Sequence, residues 1–447
     1  MDKEYLLHER PLKALFFFAC PMIIGNLFQQ FYTMIDSVVV GRYVSEQALA
    51  AIGASYSFTN VFICVAIGGG IGASVITSRY FGAREYTRMK RSIFTALLSF
   101  LVVSVILACL GLLFGRQIMV ALKTPDEILD MASTYLNIYF YGLPFLFMYN
   151  VLSSMFNALG RSRIPLYLLM FSSILNIILD IYSVRTLHMG IAGVAWATVI
   201  AQGISVVLSF FLLLRELRSY EGKQTTVFSK NDLKQMTHVA LPSILQQSTV
   251  SIGMMLVQSV VNSFGTEALA GFSAAMRVES LCIVPMSALG NALSSYTAQN
   301  LGSGKTERIK KGLQSALLLV AMFALIICVI IECFKKPIVL AFLGSEGTAT
   351  ALQTGIGYLT FMGWFFALIG LKMSVDGILR GAADMKMFTI ANLANLTLRV
   401  FVAAVFAPQF GIQMVWYAVP IGWSVNFIIS FAEYRSGRYK LLANRTA

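Results

Sequence analysis

Residues 12–40 read LKALFFFACPMIIGNLFQQFYTMIDSVVV. The run is long enough to cross a bilayer, whose apolar core takes about 20 residues of helix. It carries Pro21 in one half and a carboxylic acid, Asp36, in the other, with Asn26, Gln29 and Thr33 between them. Those four polar residues recur at helical spacing and share one face. An ionisable group at mid-membrane costs about 2.5–3.5 kcal/mol on insertion scales, so Asp36 demands a reason.

Eleven further apolar runs follow, at about residues 48–80, 92–115, 131–159, 164–185, 190–214, 235–263, 268–299, 312–334, 352–379, 386–407 and 411–433. They are continuous rather than alternating, which argues for helices and against a barrel. The chain is 57% hydrophobic and 12% charged, where a soluble domain has about 45–50% and about 25%. The fold class expected is an all-α integral membrane protein with twelve transmembrane helices in two pseudo-symmetric six-helix bundles.

The net charge of +13 would suit a nucleic-acid partner. No basic groove with interleaved aromatics is present, however, so none is expected. The basic residues sit in short loops instead: Arg79, Arg84, Arg88, Lys90 and Arg91 in one, Lys305, Arg308, Lys310 and Lys311 in another. This bias puts those loops and both termini on the cytoplasmic side of a plasma membrane. The six cysteines form no CxxC pair and read as small core residues. The first run is too long and too polar for a cleavable signal peptide.

The halves match each other at an offset of about 220 residues. Pro21 answers Pro242, and Gln47-Ala48-Leu49-Ala50 answers Glu267-Ala268-Leu269-Ala270. Gly160 answers Gly381, and Gly190-Ile191 answers Gly411-Ile412. Six spans per half is an even number, so both halves enter the membrane in the same direction, as parallel transporter repeats do. The expected organisation is an N-terminal bundle at 1–215, a cytoplasmic linker at 216–234 and a C-terminal bundle at 235–447. Pro21, Pro144, Pro242, Pro285 and Pro420 each remove a backbone hydrogen bond and should mark breaks in their spans. The run Gly68-Gly69-Gly70 with Gly72 permits close packing or bending.

Buried charge differs between the halves. In the first, Asp36 and Asp180 have no basic residue deep in the same half, since Arg42 and Arg185 sit at span ends. Two such acids can be protonated, share a cation, or simply tie helices together by hydrogen bonds. Asn176 and Asp180 are four apart on one face, and Thr198 is on the next span, so the set offers hard oxygen ligands. In the second half Arg277, Glu279, Lys372, Asp376, Arg380 and Arg399 come in both signs and can neutralise one another.

Gly302-Ser303-Gly304-Lys305-Thr306 resembles the end of a phosphate-binding loop, but Gln299 stands where that motif needs glycine and the preceding segment is an apolar span. The chain is therefore expected to hydrolyse no nucleotide, to need no cofactor beyond a coupling ion, and to be no enzyme.

Pro21-Met22-Ile23-Ile24 through Asp36-Ser37-Val38-Val39-Val40-Gly41, followed by Ala48-Leu49-Ala50-Ala51-Ile52-Gly53, resembles the multidrug and toxic compound extrusion (MATE) family. Asn157-Ala158-Leu159-Gly160 with Pro165, and Leu379-Arg380-Gly381 with Asp384, resemble it too. The resemblance implies a monomeric antiporter exporting cationic or amphipathic small molecules in exchange for Na+ or H+. It implies a cation or proton site at Asp36, Asn176, Asp180 and Thr198, with Asp36 and Asp180 as Na+ candidates, and a bending proline at Pro21. Gln29, Thr33, Asn157 and Asp376 are candidates for a substrate cavity. Where some members carry an acid in the seventh span, this chain has Gln246-Gln247-Ser248-Thr249-Val250-Ser251, which favours the first half for the ion. The alternative kept open is a lipid-linked precursor flippase of the same superfamily, which would want basic cavity residues such as Arg277, Lys372 and Arg399.

Overall fold

The computed structural model describes residues 4–222, 226–343 and 348–439. Residues 223–225 of the expected linker, and both chain ends, lie outside the described residues. Among those described, all regular structure is helical. In chain order the helices are α1 (Tyr5–His8), α2 (Pro11–Tyr43), α3 (Glu46–Gly82), α4 (Tyr86–Ala121), α5 (Asp126–Ala158), α6 (Arg163–Arg185) and α7 (Gly190–Leu217). Then come α8 (Lys230–Asn262), α9 (Thr266–Gly302), α10 (Thr306–Leu343), α11 (Ala349–Gly363), α12 (Phe366–Gly381), α13 (Met385–Phe410) and α14 (Gln413–Ser436).

Ten of these helices have the length and hydropathy to cross a membrane, and the bent pair α11–α12 makes an eleventh. The twelfth long helix is α5. Its asparagines and Tyr135, Tyr139, Tyr141 and Tyr149 lower the hydropathy of its apolar stretch. Two of those tyrosines prove to line the candidate site, so the polarity that weakens α5 as a span has a local use.

The expected tenth span, 352–379, is present as a bent pair. It is two helices that meet at 54° around Trp364 and Phe365. Backbone bonds there tighten to the i→i+3 kind, Phe365 N donating to Met362 O at 2.9 Å and Leu368 N to Phe365 O at 3.0 Å. The prolines expected to mark breaks do not interrupt their helices: Pro21, Pro144, Pro242, Pro285 and Pro420 all lie inside continuous ones. A proline loses one hydrogen bond and bends a helix without ending it when neighbouring helices hold both arms.

The chain divides into two compact units, one of residues 24–244 and one of residues 1–23 with 245–447. In the unit of 24–244, α5 is central, and α3, α4 and α7 pack on it. Met155, Phe156, Leu152, Phe81 and Ile93 form one buried cluster, and Phe140, Phe147, Met119 and Leu136 another. The glycines of α3 serve close packing. A Cβ on Gly68 would lie 2.5 Å from the backbone nitrogen of Ile244, and one on Gly72 would lie 2.6 Å from that of Ala240. In the other unit, α9 is central and packs against α10, α11 and α12. There a Cβ on Gly377 would meet the Gly290 carbonyl oxygen at 2.3 Å, so α9 and α12 touch backbone to backbone in the manner of small-residue membrane interfaces.

Candidate functional site

A tight turn sets up the site in the unit of 24–244. The loop between α6 and α7 is short, with His188 at φ +52° and Gly190 at φ +56°. Met189 N donates to Ser183 O at 3.1 Å and closes it. The two helices therefore run side by side, and Asn176 of α6 meets Thr198 of α7 at 3.2 Å. Asp180 lies one turn along from Asn176 and is fully buried, and Asn176 is 2% exposed.

From α2, Tyr32 and Asp36 reach the same place, four residues apart on one face. The Tyr32 hydroxyl is 2.7 Å from the Asn176 side chain. The amide orientation that satisfies every neighbour has Nδ2 donating to Asp180 Oδ2 at 3.0 Å and to the Tyr32 oxygen at 2.7 Å, while Oδ1 accepts from Thr198 N at 3.1 Å and from Thr198 Oγ1 at 3.2 Å. In that arrangement Asn176 links all three helices.

The two carboxyl groups are within hydrogen-bonding reach of each other. Oδ1 of Asp36 and Oδ1 of Asp180 are both buried without a hydrogen-bond partner. Neither acid has an ion pair among the described residues. The two basic residues nearest in sequence are engaged or exposed: Arg185 stands 5.6 Å from the Tyr43 ring centroid, and Arg42 is exposed. Two carboxyls this close and without a base are relieved of their mutual repulsion by a proton or by a shared cation. The orphaned oxygens fit a small hard cation, and the Asn176 oxygen joins them only when its amide turns the other way. Among the described residues no group of three or more His, Cys, Asp or Glu side chains is placed to hold a metal; this site has two acids only.

Next to Thr198 lies a cavity of about 30 Å³ lined by Tyr135, Tyr139, Gly142, Leu146, Ala195, Val199 and Gln202. It is large enough for a water molecule, which needs about 10–15 Å³. Tyr139 donates to the Thr59 carbonyl at 3.3 Å, which fixes its ring at that wall.

The structure thus brings Asp36, Asn176, Asp180 and Thr198 together. Gln29 and Thr33 are exposed on α2, and Thr33 Oγ1 donates back to the Gln29 carbonyl at 2.9 Å. Asn157 lies near the end of α5 with its Oδ1 buried and unpartnered. Asp376 belongs to the other unit, where Lys372 Nζ approaches its Oδ2 at 3.0 Å, as an ion pair off the hydrogen-bonding angle. Ser430 donates to Asp376 Oδ1 at 2.8 Å and Lys372 donates to Asn392 Oδ1 at 3.1 Å. Glu279 accepts from Tyr358 and faces Arg399. Arg380 donates to Asn291 Oδ1 at 2.7 Å. Arg277 is exposed.

The sequence reading missed Tyr32, Tyr135 and Tyr139. Tyr32 was within reach, since it precedes Asp36 by one helical turn. Tyr135 and Tyr139 carry no signal that separates them from the other tyrosines of α5.

A family model described as MatE matches residues 21–182 and again residues 242–405. The chain belongs to the MatE family. The double match restates the internal repeat and starts each half at its proline. The MatE chain is 29% identical over 435 residues to "Probable multidrug resistance protein YpnP" of Bacillus subtilis, covering 96% of each. It is 25% identical to an "FAD transporter" of Shewanella oneidensis, over 97% of this chain and 96% of that one. A solved structure described as the outward-facing conformation of a multidrug resistance MATE family transporter superposes with a TM-score of 0.91, at 25% identity over 99% of both chains. This MatE protein is accordingly a multi-pass membrane transporter with twelve spans in two six-helix bundles.

Proposed function

We propose that this MatE protein is an antiporter that exports cationic or amphipathic small molecules in exchange for Na+ or H+, by alternating access in the plasma membrane with both termini in the cytoplasm. The observation that carries the proposal is the pair Asp36 and Asp180, close together, the first half-buried and the second fully buried, without an ion-pair partner among the described residues. The coupling ion binds there, held by these two carboxyls with Asn176 and Thr198, and Tyr32 keeps Asn176 in place. Pro21 lets α2 bend as the acids gain or lose their charge. Relatives named for multidrug resistance support drug-like cargo. The lipid-linked flippase reading finds less support, because Lys372 is paired with Asp376 and Arg380 is bonded to Asn291.

The test is efflux of a fluorescent cationic dye from proteoliposomes, with Na+ and pH gradients imposed separately. Efflux driven by Na+ alone makes the cluster a sodium site. Efflux driven by protons alone makes the two aspartates a protonation switch. Dye that moves under neither gradient overturns the antiport reading.

A further inference from the structure

The chain passes between its two units at two points, between Ile23 and Ile24 and between Ile244 and Leu245. Both points lie inside helices, α2 and α8. Each follows a proline by two residues, Pro21 and Pro242, which hold matching places in the repeat. A proline removes one backbone hydrogen bond and loosens the turn around it. Residues 5–23 therefore form an arm of the unit built from the second half of the sequence. Residues 220–222 and 226–244 form an arm of the unit built from the first half.

Each arm is gripped by polar groups, and the grips come from corresponding loops. On the first arm, Tyr5, Leu6 and Leu7 are buried. Arg308 Nη2 donates to the carbonyls of Leu6 at 3.2 Å and Glu9 at 2.7 Å, and its Nε donates to Asn300 Oδ1 at 3.0 Å. Asn300 Nδ2 donates to Leu6 O at 3.2 Å, and Lys305 Nζ to Leu7 O at 3.1 Å. On the second arm, the fully buried Asp232 accepts from Arg91 Nε at 2.9 Å and from the Tyr80 hydroxyl at 3.0 Å. Lys90 Nζ donates to the carbonyls of Tyr220 at 2.8 Å and Gly222 at 2.9 Å. Asn300, Lys305 and Arg308 flank the turn between α9 and α10. Tyr80, Lys90 and Arg91 flank the turn between α3 and α4, its partner in the repeat. Charge-assisted bonds of this kind are about twice as strong as neutral ones.

We propose that these contacts are reciprocal anchors. Each half of the sequence lends its leading arm to the unit of the other half. Arg308 and Asp232 keep the arms there while the units move, so bending is confined to the turns after Pro21 and Pro242. The proposal rests on the alternating-access reading above and adds Pro242, Arg308 and Asp232 to it.

Two measurements test it. The first is backbone hydrogen exchange of purified Arg308→Gln and Asp232→Asn in nanodiscs. Losing the three Arg308 bonds should speed exchange of the amides around residues 5–15 by about tenfold or more, with residues 24–220 unchanged. Asp232→Asn should do the same for the amides around 229–240 and leave the first arm alone. An arm whose exchange does not change overturns its anchor. The second uses spin labels in a background with the six native cysteines replaced. The distance between labels at Lys13→Cys and Lys310→Cys should stay constant between low and high pH and with or without Na+, while the distance from Lys13→Cys to Arg88→Cys shifts. Equal shifts in both pairs, or no shift in a protein that still transports dye, overturn the proposal. Labelled protein that moves no dye under any gradient counts against the transport reading instead, and the exchange data still decide the anchors.

Discussion

In the unit of residues 24–244, a fully buried and a half-buried carboxyl face each other, and neither has an ion-pair partner among the described residues. In the unit that contains 245–447, each acid buried mid-helix has a base beside it: Lys372 at 3.0 Å from Asp376, and Arg399 facing Glu279. The same bundle thus treats charge in two ways. A closed ion pair already holds its counter-charge and gives an incoming cation no net attraction. It costs desolvation and returns it as fixed structure. An acid pair without a base is incomplete until a proton or cation arrives, and so its state can report a gradient. The repeat explains why the contrast is possible. After duplication one copy could keep an incomplete site while the other turned its polar positions into structural ties.

The largest expected effect breaks the comparison at its sharpest point. Asp36→Asn or Asp180→Asn should reduce gradient-driven dye efflux to the level of empty vesicles, with the protein folded and its thermal unfolding temperature kept or raised, because each change removes a buried charge. Normal efflux from well-expressed Asp36→Asn would falsify the assignment of the ion to this unit. In the other unit the expected pattern is reversed. Lys372→Met leaves Asp376 buried and unpaired, and breaking a buried pair by one partner costs about 3–5 kcal/mol. The unfolding temperature should drop, and the double change Lys372→Met with Asp376→Leu should recover most of it. Ion dependence of any remaining transport should stay as in the native protein. A shift from Na+ to proton dependence, or the reverse, in the Lys372 variant would show that this pair takes part in coupling.

Much of this architecture was legible in the sequence because lipid imposes a plain rule. Continuous apolar runs gave twelve spans, and the repeat gave two bundles. The span at 352–379 bends at Gly363-Trp364-Phe365 without a proline, while α5 stays continuous through Pro144 in the matching place. Proline lowers the cost of a bend, but packing on either side decides whether the helix divides, and packing is not written in one segment. The acids of the site were legible for a different reason, since a partnerless charge in an apolar run is costly wherever it occurs. Tyr32 was not singled out, although it stands one turn before Asp36. A tyrosine in an apolar run has an ordinary place at helix surfaces and interfaces, and only the 2.7 Å contact with Asn176 distinguishes it.

Tyr32→Phe accordingly sharpens the comparison with a smaller effect. One hydrogen bond is lost and the Asn176 amide loosens, which is worth about 0.5–1.5 kcal/mol. The apparent affinity for the coupling ion should fall by about two- to tenfold, with maximal efflux nearly unchanged at saturating ion. A loss of maximal rate with unaltered ion affinity would place Tyr32 in the conformational step rather than in the site.

The smallest effect tests whether an acid pair needs the membrane to become a gradient sensor. Asp384, at the turn between α12 and α13, is buried beside Glu433, with Arg438 4.0 Å from Glu433 Oε1. Burial first, and then the neighbouring Glu433, pushes the Asp384 carboxyl up from 3.8 to about 6. Its folded value is therefore above its unfolded one, so the native state binds the proton more tightly. Stability from this group is full below about pH 4 and is lost as pH rises through about 6. Asp384→Asn, which mimics the protonated form, should raise the unfolding temperature by about 1–2 °C at pH 7.5, by less at pH 5, and leave it nearly unchanged below about pH 4. Its transport should keep the native ion dependence, because Asp384 sits in a turn and Glu433 in the last turn of α14, so the charge is felt by the local helix ends rather than by a site that binds cargo or ion. If Asp384→Asn instead altered which gradient drives efflux, the absence of a base would by itself be enough to make a coupling site, and burial at mid-membrane would not be what sets Asp36 and Asp180 apart.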